Sequence, residues 1–131
     1  MGTPASRADT RLTYDDLLLF PDDGLRHEII DGEHYVTAAP NFRHQLVVGR
    51  LHGEIYMYLK AHPGTGTLLT APMDVVLSQH DVVEPNLLFV AADQAGVVTA
   101  ANLQGPPALV VEVLSPSTQA RRADQTATLR P

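Results

Sequence analysis

Apolar residues along this chain recur at two different periods, and each change of period marks an element. From Phe42 to Ala61, the residues Val47, Val48, Leu51, Ile55, Tyr58 and Leu59 return at helical spacing and place one stripe toward a core. The longest helix is predicted there, ended by Pro63-Gly64-Thr65-Gly66. A shorter helix is predicted to start at Thr13, a capping hydroxyl followed by Asp15 and Asp16 in the first turn. It should run to about Phe20, before Pro21 and the Asp22-Asp23-Gly24 turn. Arg26 to Thr37 holds two extended runs around Asp31-Gly32, a hairpin signal. Further strands are predicted at Thr67 to Ala71, Met73 to Leu77, Val82 to Val90 and Leu109 to Leu114, with a turn at Gln79-His80-Asp81. Val97 to Leu103 fits a short helix or a loop. The order of helix, hairpin, helix and strands predicts an α/β fold, a mixed β-sheet flanked by helices.

Two strands carry polar residues where apolar ones are expected. In Leu109-Val110-Val111-Glu112-Val113-Leu114 an ionised carboxylate is costly unless the strand lies at an edge, or Glu112 meets an arginine, keeps a proton or binds a metal. In Val82 to Val90, period-two alternation puts Glu84, Asn86 and Leu88 on one face. Pro85 removes a ladder donor there, which calls for a strand start, an edge or a bulge. If the two strands are neighbours, Glu84, Asn86 and Glu112 converge on an oxygen-rich patch of the kind that holds hard divalent cations.

Composition narrows the picture. The 131 residues suffice for one domain, and 44% hydrophobic against 18% charged residues supports a buried core. The two ends lack the apolar pattern, so a domain over 13–118 is expected between a tail over 1–12 and an irregular tail over 119–131. The chain has no cysteine, which excludes disulfides, thiolate zinc sites and a cysteine nucleophile and suits a reducing cytoplasm. No apolar run approaches the ~20 residues of a membrane span. A formal charge of −6 disfavours coating of nucleic acid by bulk electrostatics but leaves local contact open. The basic residues are eight arginines and the single Lys60. The six histidines include no i, i+4 pair, Ser115 and Ser117 have no glycine-framed elbow, and Gly64-X-Gly66 lacks the rest of a phosphate cradle.

Several blocks together resemble a known family: Glu28-Ile29-Ile30-Asp31-Gly32-Glu33, His44-Gln45, Ala71-Pro72-Met73-Asp74-Val75, Val83-Glu84-Pro85-Asn86-Leu87-Leu88-Phe89-Val90, and Val110-Val111-Glu112-Val113-Leu114-Ser115-Pro116-Ser117-Thr118. In order and spacing the chain is similar to the bacterial restriction-endonuclease-like family of the PD-(D/E)XK nuclease superfamily, from Thr13 to Thr118. The resemblance implies a restriction-endonuclease-like mixed sheet with flanking helices and a site that hydrolyses DNA phosphodiesters with Mg²⁺ or Mn²⁺. There, two carboxylates hold the ion and a lysine assists. The family's proline-aspartate motif falls on Pro85-Asn86 and its glutamate on Glu112. Glu33 falls on an acidic position that faces the site, and His44 on a position that approaches the active face.

This chain departs from that pattern at two points. Asn86 keeps a carbonyl oxygen but loses the charge that makes a good Mg²⁺ ligand. Glu84 is the nearby carboxylate that would compensate, about 7 Å further along a regular strand. No lysine follows Glu112, and the family's later helix and closing strands have no counterpart from Gln119 to Pro131, as a truncated or frame-shifted coding sequence would produce. The expectation is an endonuclease-like protein, impaired or inactive, with Glu112, Asn86 and Glu84 as metal ligands and Glu33 as a further catalytic candidate. DNA is the expected partner, and uncovered sheet edges favour a homo-oligomer. The alternatives are a non-catalytic binding or assembly module on the same fold and a different metal hydrolase using Glu33, Glu84 and Glu112.

Overall fold

The structure, a computed structural model, describes residues 10–114. The expected 119–131 tail and the Ser115-to-Thr118 end of the last family block therefore lie outside the described residues. Thr13 caps a single turn, α1 (Tyr14–Leu17): its hydroxyl accepts from the Asp16 N–H, and the Asp16 carboxylate accepts from the Thr13 N–H at 2.9 Å. This helix ends three residues short of Phe20, because the chain tightens there: the Leu19 and Phe20 N–H groups donate to the Asp16 and Leu17 carbonyls three residues back. Strands β1 (Arg26–Ile30) and β2 (Glu33–Thr37) form the predicted hairpin, and Asp31 and Gly32 take the positive φ of 50° and 77° that a two-residue connection demands. Helix α2 (Phe42–Ala61) has the predicted bounds and is capped by Asn41.

After α2 come β3 (Gly66–Thr70), β4 (Asp74–Ser78), β5 (Asp81–Val83), β6 (Leu87–Ala91), a 3-10 segment (Ala92–Val97), β7 (Asn102–Gln104) and β8 (Leu109–Val111). They make two sheets. One has the order β2-β1-β5-β4-β7, antiparallel except for the parallel β4–β7 pair; the other is an antiparallel β3-β6-β8. The predicted strand Val82 to Val90 is thus corrected to two strands in different sheets, parted at Glu84-Pro85-Asn86. Pro85 has no N–H for a ladder, and the chain crosses between sheets at this point.

Paired apolar residues explain the layering. Ile29, Val76 and Val82 face Leu17 and the flanking Leu12, Tyr14 and Phe20, whereas Ile30, Val75, Val83 and Leu103 face Leu88 and Val90 of the second sheet. The five-stranded sheet is covered on both faces, so its central strands β4 and β5 carry consecutive apolar residues, Val75-Val76-Leu77 and Val82-Val83. Arg11 and Leu12, expected in the mobile tail, are tied to this sheet by an Arg11–Asp31 ion pair and by the Leu12 N–H donating to the Gly32 carbonyl at 2.9 Å. The α2 stripe is only partly as expected. Val48, Ile55 and Leu59 are half-buried where α2 packs on β3, but Val47, Leu51 and Tyr58 lie on an exposed flank, and no α2 residue is fully buried.

Two glycine substitutions should move stability in opposite directions. Gly66 has φ 153°, and a Cβ there would collide with the Val90 carbonyl oxygen and the Phe89 ring. Gly66→Ala should therefore cost about 2 kcal/mol or more. Gly49 sits in α2 with open space where its Cβ would be, so Gly49→Ala should add about 0.5–1 kcal/mol. Urea unfolding of both variants measures the pair, and equal signs would refute the argument.

Candidate active site

Period two on β1 puts Arg26, Glu28 and Ile30 on the face toward the second sheet. Ile30 enters the core there. Glu28 is 1% exposed and would be prohibitively costly as a lone anion. Its Oε2 accepts the Glu84 N–H at 2.7 Å, and its Oε1 lies 3.9 Å from Arg26 Nε. From Nη1 the Arg26 guanidinium donates to the Glu84 carbonyl at 3.1 Å and to Glu112 Oε1 at 3.2 Å; from Nη2 it donates to Thr37 Oγ1 at 3.5 Å. Glu112 follows β8, which pairs with β6 so that Leu87 opposes Val111. One step past that pair, the Asn86 N–H donates to Glu112 Oε1 at 2.9 Å, and the Val113 N–H donates to Asn86 Oδ1 at 2.8 Å.

A second polar cluster adjoins this one. Asp74, at the start of β4 and opposite Asn102 on β7, accepts a hydrogen bond from Tyr14 Oη at 2.9 Å, and Asn102 Nδ2 donates to the same hydroxyl at 3.2 Å. Glu84, freed from regular pairing by the strand break, hydrogen bonds to Asp74. Burial, then the hydrogen bond and the charge of Asp74, then Glu28, push the Glu84 carboxyl up to about 8, against the opposing pull of Arg26. Near neutral pH the Glu84 carboxyl therefore keeps its proton. Tyr14 is also shifted upward, chiefly by burial.

Both clusters border a cleft of about 720 Å³. Arg26, Asp74, Glu84 and Asn86 line it, as do Asn41, His44 and Gln45 around the start of α2. Of the predicted site residues, Asn86 and Glu112 are brought together on neighbouring strands. Glu84 is nearby but not as expected: the break at Pro85 removes it from a shared strand face with Asn86, and its carboxyl turns to Asp74. Glu33 stands apart, exposed on β2 and accepting from Tyr35 Oη at 3.2 Å.

Arg26, Glu28, Tyr14 and Asp74 join the site although the sequence reading gives none of them a role in it. An edge strand and an arginine partner were both among the outcomes allowed for Glu112, and both are realised: among the described residues β8 is an edge of its sheet, and Arg26 meets Glu112. His27 and His34 form a relay in place of a metal pair, with His27 Nδ1 2.9 Å from His34 Nε2 and His27 Nε2 2.8 Å from Asp23 Oδ1. Burial and the neighbouring His27 hold His34 below the usual histidine range.

The donor set does not fit a divalent ion held by Glu112, Asn86 and Glu84. Glu112 Oε1 and Asn86 Oδ1 are engaged by backbone N–H groups and Arg26, and Glu84 faces Asp74. Among the described residues no group of three or more His, Asp or Glu side chains is placed to hold a metal.

The proton on Glu84 has a measurable consequence. Because Glu84 titrates at about 8 when folded against the ordinary 4.5, the folded state binds the extra proton. Its contribution to stability is full below pH 4.5 and is lost as pH rises through about 8. Glu84→Gln keeps a donor toward Asp74 without titrating, so its stability should fall less than wild type between about pH 5 and 8. Thermal melts across that range test this, and parallel curves would contradict a proton held on Glu84.

No helix of the described residues is long and apolar enough to cross a membrane. The structure is similar to the crystal structure of a putative nuclease belonging to DUF820 from Anabaena variabilis ATCC 29413, with a TM-score of 0.67 at 14% identity. The match covers 88% of this chain and 65% of that one, so the chain spans about two thirds of its length. No curated protein matches the chain. The model of the Uma2 family, described as "Putative restriction endonuclease", matches residues 13–128, a span that includes both polar strands and the whole cleft, and the chain belongs to that family.

Proposed function

We propose that the cleft is a nucleic-acid site of nuclease lineage in which phosphodiester hydrolysis is impaired. One observation carries this reading. Asn86 and Glu112 lie side by side on adjacent strands, where the family motif calls for two metal-holding carboxylates, yet one is neutral and both are engaged within the protein. Mg²⁺ or Mn²⁺ is the ion the resemblance implies, and it would polarise the phosphate and activate water. Among the described residues its ligands are not assembled. DNA approach is supported by a cleft open to solvent whose lining includes Asn41, His44 and Gln45. The proton on Glu84 lowers the negative charge that a phosphate would meet there.

A non-catalytic module is the second reading, favoured by the engagement of Glu112 with Arg26. Supercoiled-plasmid relaxation with Mg²⁺ or Mn²⁺, alongside anisotropy of a labelled duplex in EDTA, separates the two. Asn86→Asp retains an oxygen for the Val113 N–H and adds a carboxylate beside Glu112. The expected result is duplex binding by both proteins, with plasmid nicking by the variant at least roughly tenfold faster than wild type. Equal nicking by both would sink the impairment. Binding without any nicking by the variant would leave the module reading, and no DNA binding at all would remove nucleic acid from the account.

A further inference from the structure

The misfit between this site and a divalent ion has a physical cause in the surroundings of Arg26. Its guanidinium is bounded by oxygens from four separate segments: Glu28 Oε1 of β1 at 3.9 Å, Thr37 Oγ1 of β2 at 3.5 Å, the Glu84 carbonyl of the β5–β6 crossing at 3.1 Å, and Glu112 Oε1 after β8 at 3.2 Å. Two carboxylates, a carbonyl and a hydroxyl are the donor types that hard cations collect. The Arg26 and Glu112 side chains are only 16% and 24% exposed, and Glu28 is 1% exposed, so these charges have little water to fall back on.

We infer that Arg26 is the resident cation of this cleft, its guanidinium neutralising and cross-linking Glu28 and Glu112 so that the folded chain needs no divalent ion there. This rests on the reading of the cleft as a degenerate metal site. Arg26 acts here as a positioning residue: it holds the end of β8 and the strand crossing against β1. A fixed side chain cannot exchange with solvent, so the site is neutralised at every ion concentration. An arginine with only a packing role would lower stability when removed, but no ion would restore what it supplied.

Thermal unfolding of the whole chain, in EDTA and in millimolar Mn²⁺ at matched ionic strength, tests the inference on wild type, Arg26→Gln and Arg26→Lys. Wild type should melt within about 1 °C in the two buffers. Arg26→Gln should melt roughly 5–15 °C lower in EDTA and recover at least about half of that loss in Mn²⁺. Arg26→Lys, which keeps a compact positive charge, should stay indifferent to Mn²⁺. If Arg26→Gln does not fold in EDTA, soluble yield after refolding with and without Mn²⁺ replaces the melt, and equal failure in both counts against the inference. A wild-type protein stabilised by several degrees in Mn²⁺, or an Arg26→Gln loss that Mn²⁺ leaves unchanged, overturns it. None of these readouts involves DNA, so they stand or fall separately from plasmid nicking.

Discussion

The buried carboxylate of Glu28 sets the constraint around which this structure is arranged. An ion removed that far from water costs several kcal/mol unless it is paired and hydrogen-bonded, and its partners must come from elsewhere in the chain. They come from two places: the guanidinium of Arg26 on the same strand and the backbone N–H of Glu84 at the crossing between sheets. Because Arg26 also reaches Glu112, a single charge network joins the middle of the first sheet to the end of the second. The interruption of the Val82-to-Val90 run at Pro85 follows from this need as well as from the proline, since the Glu84 N–H that β5 does not use is the one that satisfies Glu28.

The same network governs the electrostatics of the cleft. Four carboxyl groups, Glu28, Glu112, Asp74 and Glu84, gather around the strand crossing, and among the described residues they are offset by one guanidinium and by the proton that Glu84 keeps. Arg26 offsets Glu28 and Glu112, which accept from backbone N–H groups; the proton on Glu84 relieves its repulsion toward Asp74. The guanidinium keeps its charge across the working pH range, while Glu84 responds to pH near neutrality.

Helix α2 and the Asp31-Gly32 hairpin were legible in the sequence because each is specified locally, by a capping residue and a helical period in one case and by a turn that only a few residues can make in the other. The adjacency of Asn86 and Glu112 was legible only as a condition, that their strands be neighbours, and β6–β8 pairing meets it. The split into two sheets was not legible. Both Val82-Val83 and Leu87-Leu88 look like buried strand, and nothing in their period says that they belong to different sheets. Arg26 and Asp74 escaped for a related reason: their importance lies in partners 86 and 60 positions away in sequence, Glu112 and Tyr14. Periodicity reports which way a side chain points and not what it meets.

Asn86 shows why the fold tolerates a change at a motif position. A side-chain oxygen there accepts the Val113 N–H, and the backbone N–H donates to Glu112, so the residue bridges β6 and the segment after β8 at the end of their ladder. An amide oxygen performs that bridging as well as a carboxylate oxygen, with no charge to desolvate and no repulsion toward Glu112. Asparagine therefore closes the sheet without adding a charge. With Arg26 already compensating Glu112, a second negative charge beside it has no further counterion in the contacts of the described residues, and the neutral amide is the residue that this charge balance favours.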